Sequence, residues 1–204
     1  MISDVYFHSS DPMTSPWPYQ IAAGGRTEVS ATDGNVSRNY HQHTLILTLS
    51  GQGRIKTADG VFSTAPGSVV WLDTSCIYAH GAAQRHEWSY LWIALSGQGL
   101  ERLFEQSGFA EQPVQDCHRD LASRFETLIQ TLADPPIHAD ANLNAQFAAI
   151  AADLFANRQG GANDTRDDPI ALLMRRLRKD VSSAWSVAQM AAIRHKIAQG
   201  IGST

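Results

Sequence analysis

The sequence predicts a mainly β protein with added α-helices: a small closed β-barrel first, amphipathic helices after it. Three observations carry this. Between residues 19 and 97, short apolar runs are separated by glycine-rich turn signals, the pattern of a closed sandwich or barrel. After residue 98 the apolar spacing changes from two to three and four, which marks helices with one buried face. From Asp168-Pro169-Ile170 onward a further short helical set begins and runs to the end of the chain at Thr204.

Composition bounds the class. At 204 residues the chain holds one good-sized domain plus extra helices. An apolar content of 43% with 18% charged residues is that of a globular domain in water. No apolar run approaches the roughly 18 residues that span a bilayer, so no membrane partner is expected. Met1-Ile2-Ser3-Asp4-Val5 has neither the basic nor the apolar region of a secretory signal. Cys76 and Cys117 lie far apart without metal-knot spacing and read as reduced thiols of a cytoplasmic protein. A net charge of −4 argues against a surface devoted to nucleic acid.

The elements follow in order. Residues 1–18 carry Pro12, Pro16 and Pro18 among Ser, Thr and Asp and read as an irregular arm. Residues 19–97 form the barrel, punctuated by Gly24-Gly25, Asp33-Gly34-Asn35, Gly51-Gln52-Gly53, Asp59-Gly60 and Pro66-Gly67. Asp59-Gly60 between two β-forming tetrapeptides predicts a hairpin with a type I′ turn. In residues 98–159, Leu121, Phe125, Leu128, Ile129 and Leu132 mark one helix, which Asp134-Pro135-Pro136 ends. Leu143, Phe147, Ile150 and Leu154 mark a second, with an alanine-rich neighbouring face. Residues 160–167 read as a linker. In 168–204, Ile170, Leu173, Met174 and Leu177 share a helix face, and Ser186 with Gln189 forms a capping box. The basic run Arg175-Arg176, Arg178-Lys179 suits a solvated helix face or phosphate contacts.

Ser50-Gly51-Gln52-Gly53, then Pro66-Gly67, then Glu87-Trp88-x-Tyr90-x-Trp92, then Asp168-Pro169-Ile170 and Trp185-Ser186-Val187-Ala188-Gln189-Met190-Ala191-Ala192 resemble, in that order, the AraC/XylS-type transcription regulators. The resemblance runs from about residue 20 to residue 192. It implies a cupin-like β-barrel (jelly roll) that binds an effector, amphipathic dimerisation helices and a partial helix-turn-helix segment. After Ala192 the family pattern would turn through a glycine into a recognition helix, whereas this chain reads Ile193-Arg194-His195-Lys196. A truncated start of the DNA-binding domain is therefore expected over 168–204, and sequence-specific DNA binding by this chain is not. The seam Leu143, Phe147, Ile150, Leu154 suits either its own barrel or a second subunit; the resemblance favours a homodimer.

The barrel carries the candidate ligand-binding residues. His41 and His43 share a strand face by alternation. A metal needs three or four ligands, and Ile46, Leu47 and Thr48 stand where cupins place a glutamate, so no metal is expected and the pair reads as a polar pocket rim. Tyr90 and Trp92 share one face of the last strand, Leu91, Ile93 and Leu95 the other. Flat rings with one polar handle suit a small, partly polar ligand. The resemblance places Tyr90, Trp92 and His80 in the effector pocket, with Tyr78 beside it and Arg38 as the ligand-pairing arginine. The expected effector is a small polar molecule, a sugar by family analogy. No nucleophile elbow, phosphate loop or dinucleotide fingerprint is present; no cofactor and no enzymatic activity are expected. The alternatives are a cupin-type metal-dependent enzyme, an isomerase or dioxygenase, and a regulator remnant without function.

Overall fold

Alternation of buried and exposed side chains decides where the strands lie and what covers them. The structure, a computed structural model, describes residues 1–9, 15–37, 43–117 and 121–161. Among these the strands are β1 (Ile2–Phe7), β2 (Tyr19–Ser30), β3 (His43–Gly51), β4 (Gly53–Lys56), β5 (Val61–Ser63), β6 (Ser68–Asp73), β7 (Ala79–Ala82), β8 (Glu87–Gly97) and β9 (Val114–Asp116). The helices are α1 (Leu100–Gln106), α2 (Ala122–Ala133) and α3 (Ala139–Gly161). Among the described residues, no helix is long and apolar enough to cross a membrane.

The strands form a cupin-like barrel of two sheets. A six-stranded sheet runs β1-β2-β8-β3-β6-β9 and a three-stranded sheet runs β5-β4-β7; every ladder is antiparallel. β3 and β8 lie at the centre of the large sheet and are apolar on both faces because both faces are covered. On one face Leu45, Leu47, Leu91, Ile93 and Leu95 join Phe125, Leu128 and Leu132 of α2 and the α3 seam in a single core. On the other, Ile46, Val70, Leu72, Trp88 and Tyr90 meet Ile55 of the small sheet. Full burial of one such aliphatic or aromatic side chain stabilises the fold by about 1.5–3 kcal/mol.

Local chemistry fixes the turns. Pro66 and Gly67 occupy the centre of a tight turn in which Ser68 N–H donates to the Ala65 carbonyl at 2.9 Å. Gly67 has φ 86°, the left-handed value such a turn requires of its second central residue. The 54–63 hairpin forms with Ile55 opposite Phe62, but its turn is not type I′. Thr57 N–H donates to the Gly60 carbonyl, so Ala58 and Asp59 are the central residues, and neither has the positive φ that a type I′ turn demands.

Three further expectations are corrected. The N-terminal residues are not an irregular arm throughout: Ile2–Phe7 is the edge strand of the large sheet, paired in register with β2. The prolines that suggested irregularity all follow it, while Ser3, Val5 and Phe7 alternate with Ile2, Asp4 and Tyr6 as a strand does. Gly25 of β2 permits this approach, since a Cβ there would collide with the Asp4 carbonyl oxygen. Second, α3 continues to Gly161 and so takes in the first two residues of the expected linker. Third, the seam expected at a dimer interface is already inside the protomer. Leu143, Phe147, Ile150 and Leu154 are all buried in the barrel-helix core. Phe147 packs edge-on against Tyr19 at 4.8 Å and Trp71 at 6.4 Å. Asn144 locks the helix to β2, accepting from Tyr19 N–H at 2.9 Å and donating to the Tyr19 carbonyl at 2.7 Å. A face with no exposed area has none left to bury in a partner. The expected features of 162–204, including the rest of the linker, the Ser186 capping box and the basic run, lie outside the described residues.

Phe147→Ala should therefore lower unfolding stability by about 3–5 kcal/mol. In urea titrations, the shift in midpoint between Phe147→Ala and the unsubstituted chain should be the same at every protein concentration, as an intrachain core requires and an interface would not.

Candidate functional site

The two sheets do not close completely on each other. A cavity of about 350 Å³ lies between them, within the lower range of small-molecule sites. Its floor comes from even-numbered residues of β8, Tyr90, Trp92 and Ala94, with Thr44 and Ile46 of β3 and Ala23 and Thr27 of β2 beside them. Tyr78 and His80, at β7, face them from the small sheet; Met1, Ser3, Val5 and Phe7 at β1, with Val36 and Thr74, complete the described lining. The parity is set by the helical core: because Leu91, Ile93 and Leu95 must face α2 and α3, Tyr90 and Trp92 must face the cavity.

A hydrogen-bond chain orders these rings. Trp92 Nε1–H donates to Thr27 Oγ1 at 3.1 Å. Ser3 Oγ and Thr27 Oγ1 are 2.8 Å apart, joining the edge strand to the same atom. Thr27 is directly opposite Tyr90 across the β2–β8 ladder and bonds to its hydroxyl. Tyr90 Oη lies 3.4 Å from His80 Nε2. Tyr78 stacks nearly parallel on His80, with centroids 5.7 Å apart and an interplanar angle of 10°, and Trp88 packs against Tyr90 at 4.1 Å. Trp88 is itself fixed by its Nε1–H bond to Thr48 Oγ1 at 3.2 Å and lies over Gly53, where a Cβ would strike the indole.

Burial sets the electrostatics. His80 is 7% exposed, and burial alone drives its pKa down to about 4, so the imidazole is neutral near physiological pH. Its Nδ1 is buried without a hydrogen-bond partner. Burial pushes the Tyr90 phenol up to about 12, against a small opposing effect of the Thr27 bond.

Of the expected ligand-binding residues, the structure brings Tyr78, His80, Tyr90 and Trp92 to one cavity. Arg38 and His41 lie outside the described residues. His43 does not belong to the cavity, which corrects its assignment to a pocket rim. It shares its strand face with Leu45 and Leu47 and is fully buried beneath α1 and its neighbours. Phe104 lies 5.3 Å and Trp71 6.0 Å from its ring. Glu101 Oε2 comes within 3.4 Å of His43 Nε2, but off the line of a hydrogen bond. Burial lowers the His43 pKa, partly offset by Asp73, while burial and then Asp73 raise that of Glu101. Both shifts oppose the charged pair. Sequence reasoning missed Thr27, Thr44, Ile46 and the β1 residues. Thr27 was discoverable only with the β2–β8 register, which the sequence does not state.

Fold and cavity together define a ligand-binding β-barrel domain. The chain belongs to the family described as the AraC-like ligand binding domain, which matches residues 26–157. No curated protein matches it. Among solved structures it is similar to ToxT from Vibrio cholerae O395, at 12% identity over 92% of this chain and 78% of that one, with a TM-score of 0.43. It is also similar to a cupin superfamily protein from Desulfitobacterium hafniense DCB-2, at 20% identity over 46% of this chain and 77% of that one, with a TM-score of 0.33. Among the described residues no three of His, Cys, Asp and Glu converge as a metal site. His80 and His43 lie on opposite faces of the large sheet, so the described donors do not fit one.

The His80 environment predicts an acid-side loss of stability. Its folded pKa lies below the ordinary 6.5, so the unfolded chain binds more protons as pH falls from 6.5 toward about 4, and stability falls with it. In thermal melts across this window, the stability gap between the native sequence and His80→Gln should narrow as pH falls. His43 is lowered in the same direction and remains in both proteins.

Proposed function

We propose that this chain is the effector-sensing part of an AraC-type transcription regulator, and that the cavity between its sheets holds the effector. The observation that carries this reading is the convergence of Tyr78, His80, Tyr90 and Trp92 on one concave, mostly apolar wall. Rings ordered by a hydrogen-bond chain before any ligand arrives reduce the entropy cost of binding. Family membership supports sensing over catalysis, because what the family shares is a ligand-binding domain. Regulation of transcription rests on the resemblance to the AraC/XylS-type regulators alone; sequence-specific DNA binding by residues 168–204 is not part of this reading. A homodimer, which a regulator of this kind would use, has to form through a surface other than the α3 seam. A sugar fits the wall less well than the family analogy suggests, since a polyol needs many polar partners and this wall is predominantly carbon.

The test is a thermal-shift screen of small molecules against the purified chain, repeated on Trp92→Phe and Trp92→Ala after checking that each folds. A ligand at one hundred times its Kd should stabilise the native chain by about 2.7 kcal/mol. Trp92→Ala should abolish that gain and Trp92→Phe should reduce it. A broad screen that yields no stabiliser, or stabilisers indifferent to residue 92, would remove the cavity from this role.

A further inference from the structure

Resting on the regulator reading for its expectation of a homodimer, we infer that β1 is the dimer surface: two copies pair their β1 strands antiparallel across a two-fold axis at Val5, joining the large sheets edge to edge. β1 is one edge of the six-stranded sheet. Edge strands are usually kept short or broken by proline, lysine or a bulge, because their unpaired backbone groups recruit other strands. β9, at the opposite edge, obeys this with three residues. β1 does not. Ile2-Ser3-Asp4-Val5-Tyr6-Phe7 has six residues, no proline or lysine, and an unbroken register with β2. Its apolar ends are open to solvent, with Ile2 71% and Phe7 78% exposed.

The β1–β2 ladder decides which backbone groups face that edge. His8 N–H donates to the Ala22 carbonyl, and the ladder continued by one step sets His8 opposite Ala22. In an antiparallel ladder hydrogen-bonded pairs alternate with non-bonded ones, so the even residues of β1 bond to β2. Ser3 agrees: its hydroxyl meets that of the directly opposite Thr27 at 2.8 Å, as the closer side chains of a non-bonded pair allow. Ser3, Val5 and Phe7 therefore turn their N–H and C=O groups to the open edge. A second β1 presents the same odd set, and a two-fold axis normal to the sheet keeps cavity-side chains on one face. Centring on Val5 pairs Val5 with itself and Ser3 with Phe7, so every edge-facing group of both strands is used. Centring on Asp4 would oppose two carboxylates, which is unfavourable, and centring on Tyr6 would leave Ser3 unpaired. The Val5 register sets Asp4 against Tyr6 and lays the exposed Phe7 diagonally beside Val5 of the second copy. The contact is self-complementary and closed: once paired, neither large sheet keeps a long free edge. Ser3, Val5 and Phe7 also line the cavity, so Phe7 of the second copy, opposite Ser3, stands at its border.

The experiment is analytical ultracentrifugation of the full chain, from about 1 μM to about 300 μM, because one strand pair lies at the small end of specific interfaces and should dissociate in the micromolar range. Val5→Pro removes an N–H that faces only the open edge, where proline is tolerated. It should keep the melting temperature of the dilute native chain and weaken the dimer about a hundredfold, the loss of the two hydrogen bonds at the axis. Phe7→Ser changes a side chain already 78% exposed. It should weaken the dimer at least about tenfold without disturbing the fold, and it keeps the test decisive if proline distorts the strand. In hydrogen exchange the Asp4 and Tyr6 amides should be protected throughout, while those of Ser3, Val5 and Phe7 should gain protection only as concentration rises. A native dimer that Phe7→Ser and a folded Val5→Pro leave intact overturns the β1 surface and leaves the homodimer standing. A native chain that stays monomeric over the whole range overturns the surface and the expected homodimer together, whereas the effector reading stands or falls by the thermal-shift screen. Protection of the three odd amides at every concentration would give the edge to this chain's own remaining residues and also overturn the surface.

Discussion

The six-stranded sheet is a wall with two occupied sides, and this constraint organises the rest of the molecule. One side must be sealed by α2 and α3, because Leu45, Leu47, Leu91, Ile93 and Leu95 have no other place to leave water. The other side then has no freedom in what it presents. Since side chains alternate, a strand that delivers leucines and isoleucines to the helices at odd positions delivers Trp88, Tyr90 and Trp92 to the space between the sheets. The cavity is thus a by-product of how the helical core is satisfied. Its two large rings, Tyr90 and Trp92, are held by a central strand rather than by a loop.

Inside that space, polar chemistry is held to a few connected atoms. The hydroxyl of Thr27 serves three strands: its own β2, β8 through Trp92 and Tyr90, and β1 through Ser3. Trp88 is fixed separately through Thr48. In a low-dielectric interior, bonds of this kind strengthen one another and fix ring orientation. His43 shows the contrasting case. Both of its ring nitrogens are buried without partners, so its packing between Trp71 and Phe104 must outweigh the cost of drying an imidazole. Its neutrality follows from that environment.

Much of this was legible in the sequence, and the limits have physical causes. The barrel, its turn at Pro66-Gly67, the presence of the 54–63 hairpin though not its turn type, and the α2 and α3 faces follow from periodicity and turn chemistry. The face shared by Tyr90 and Trp92 follows from alternation alone. The sequence could not say which ladder places Thr27 opposite Tyr90, because register is a property of pairs of strands. His43 was misplaced for a related reason: alternation says which residues share a face, not which face looks inward. The α3 seam was ambiguous in principle, since an apolar stripe reads the same whether it meets its own barrel or a second copy. β1 was missed because prolines after it coloured the reading of the six residues before them.

β2 holds a detail with a consequence for how this domain can change. Ile21 stands opposite Leu95 while Ala23 stands opposite Ala94, so Ala22 is an extra residue, a bulge in the ladder. Before it, Tyr19 and Ile21 point to the helices; after it, Ala23 and Thr27 point to the cavity. Strict counting along the strand would have put all four on one side. The bulge therefore separates two lengths of strand that are otherwise locked to opposite duties. Removing Ala22 leaves both lengths facing as they do now and only straightens the ladder. Removing or adding a residue elsewhere in β2 would exchange the faces of one length, sending Thr27 to the helices or Ile21 into the cavity. Among lineages carrying this domain, length variation in β2 should accordingly concentrate at that single position.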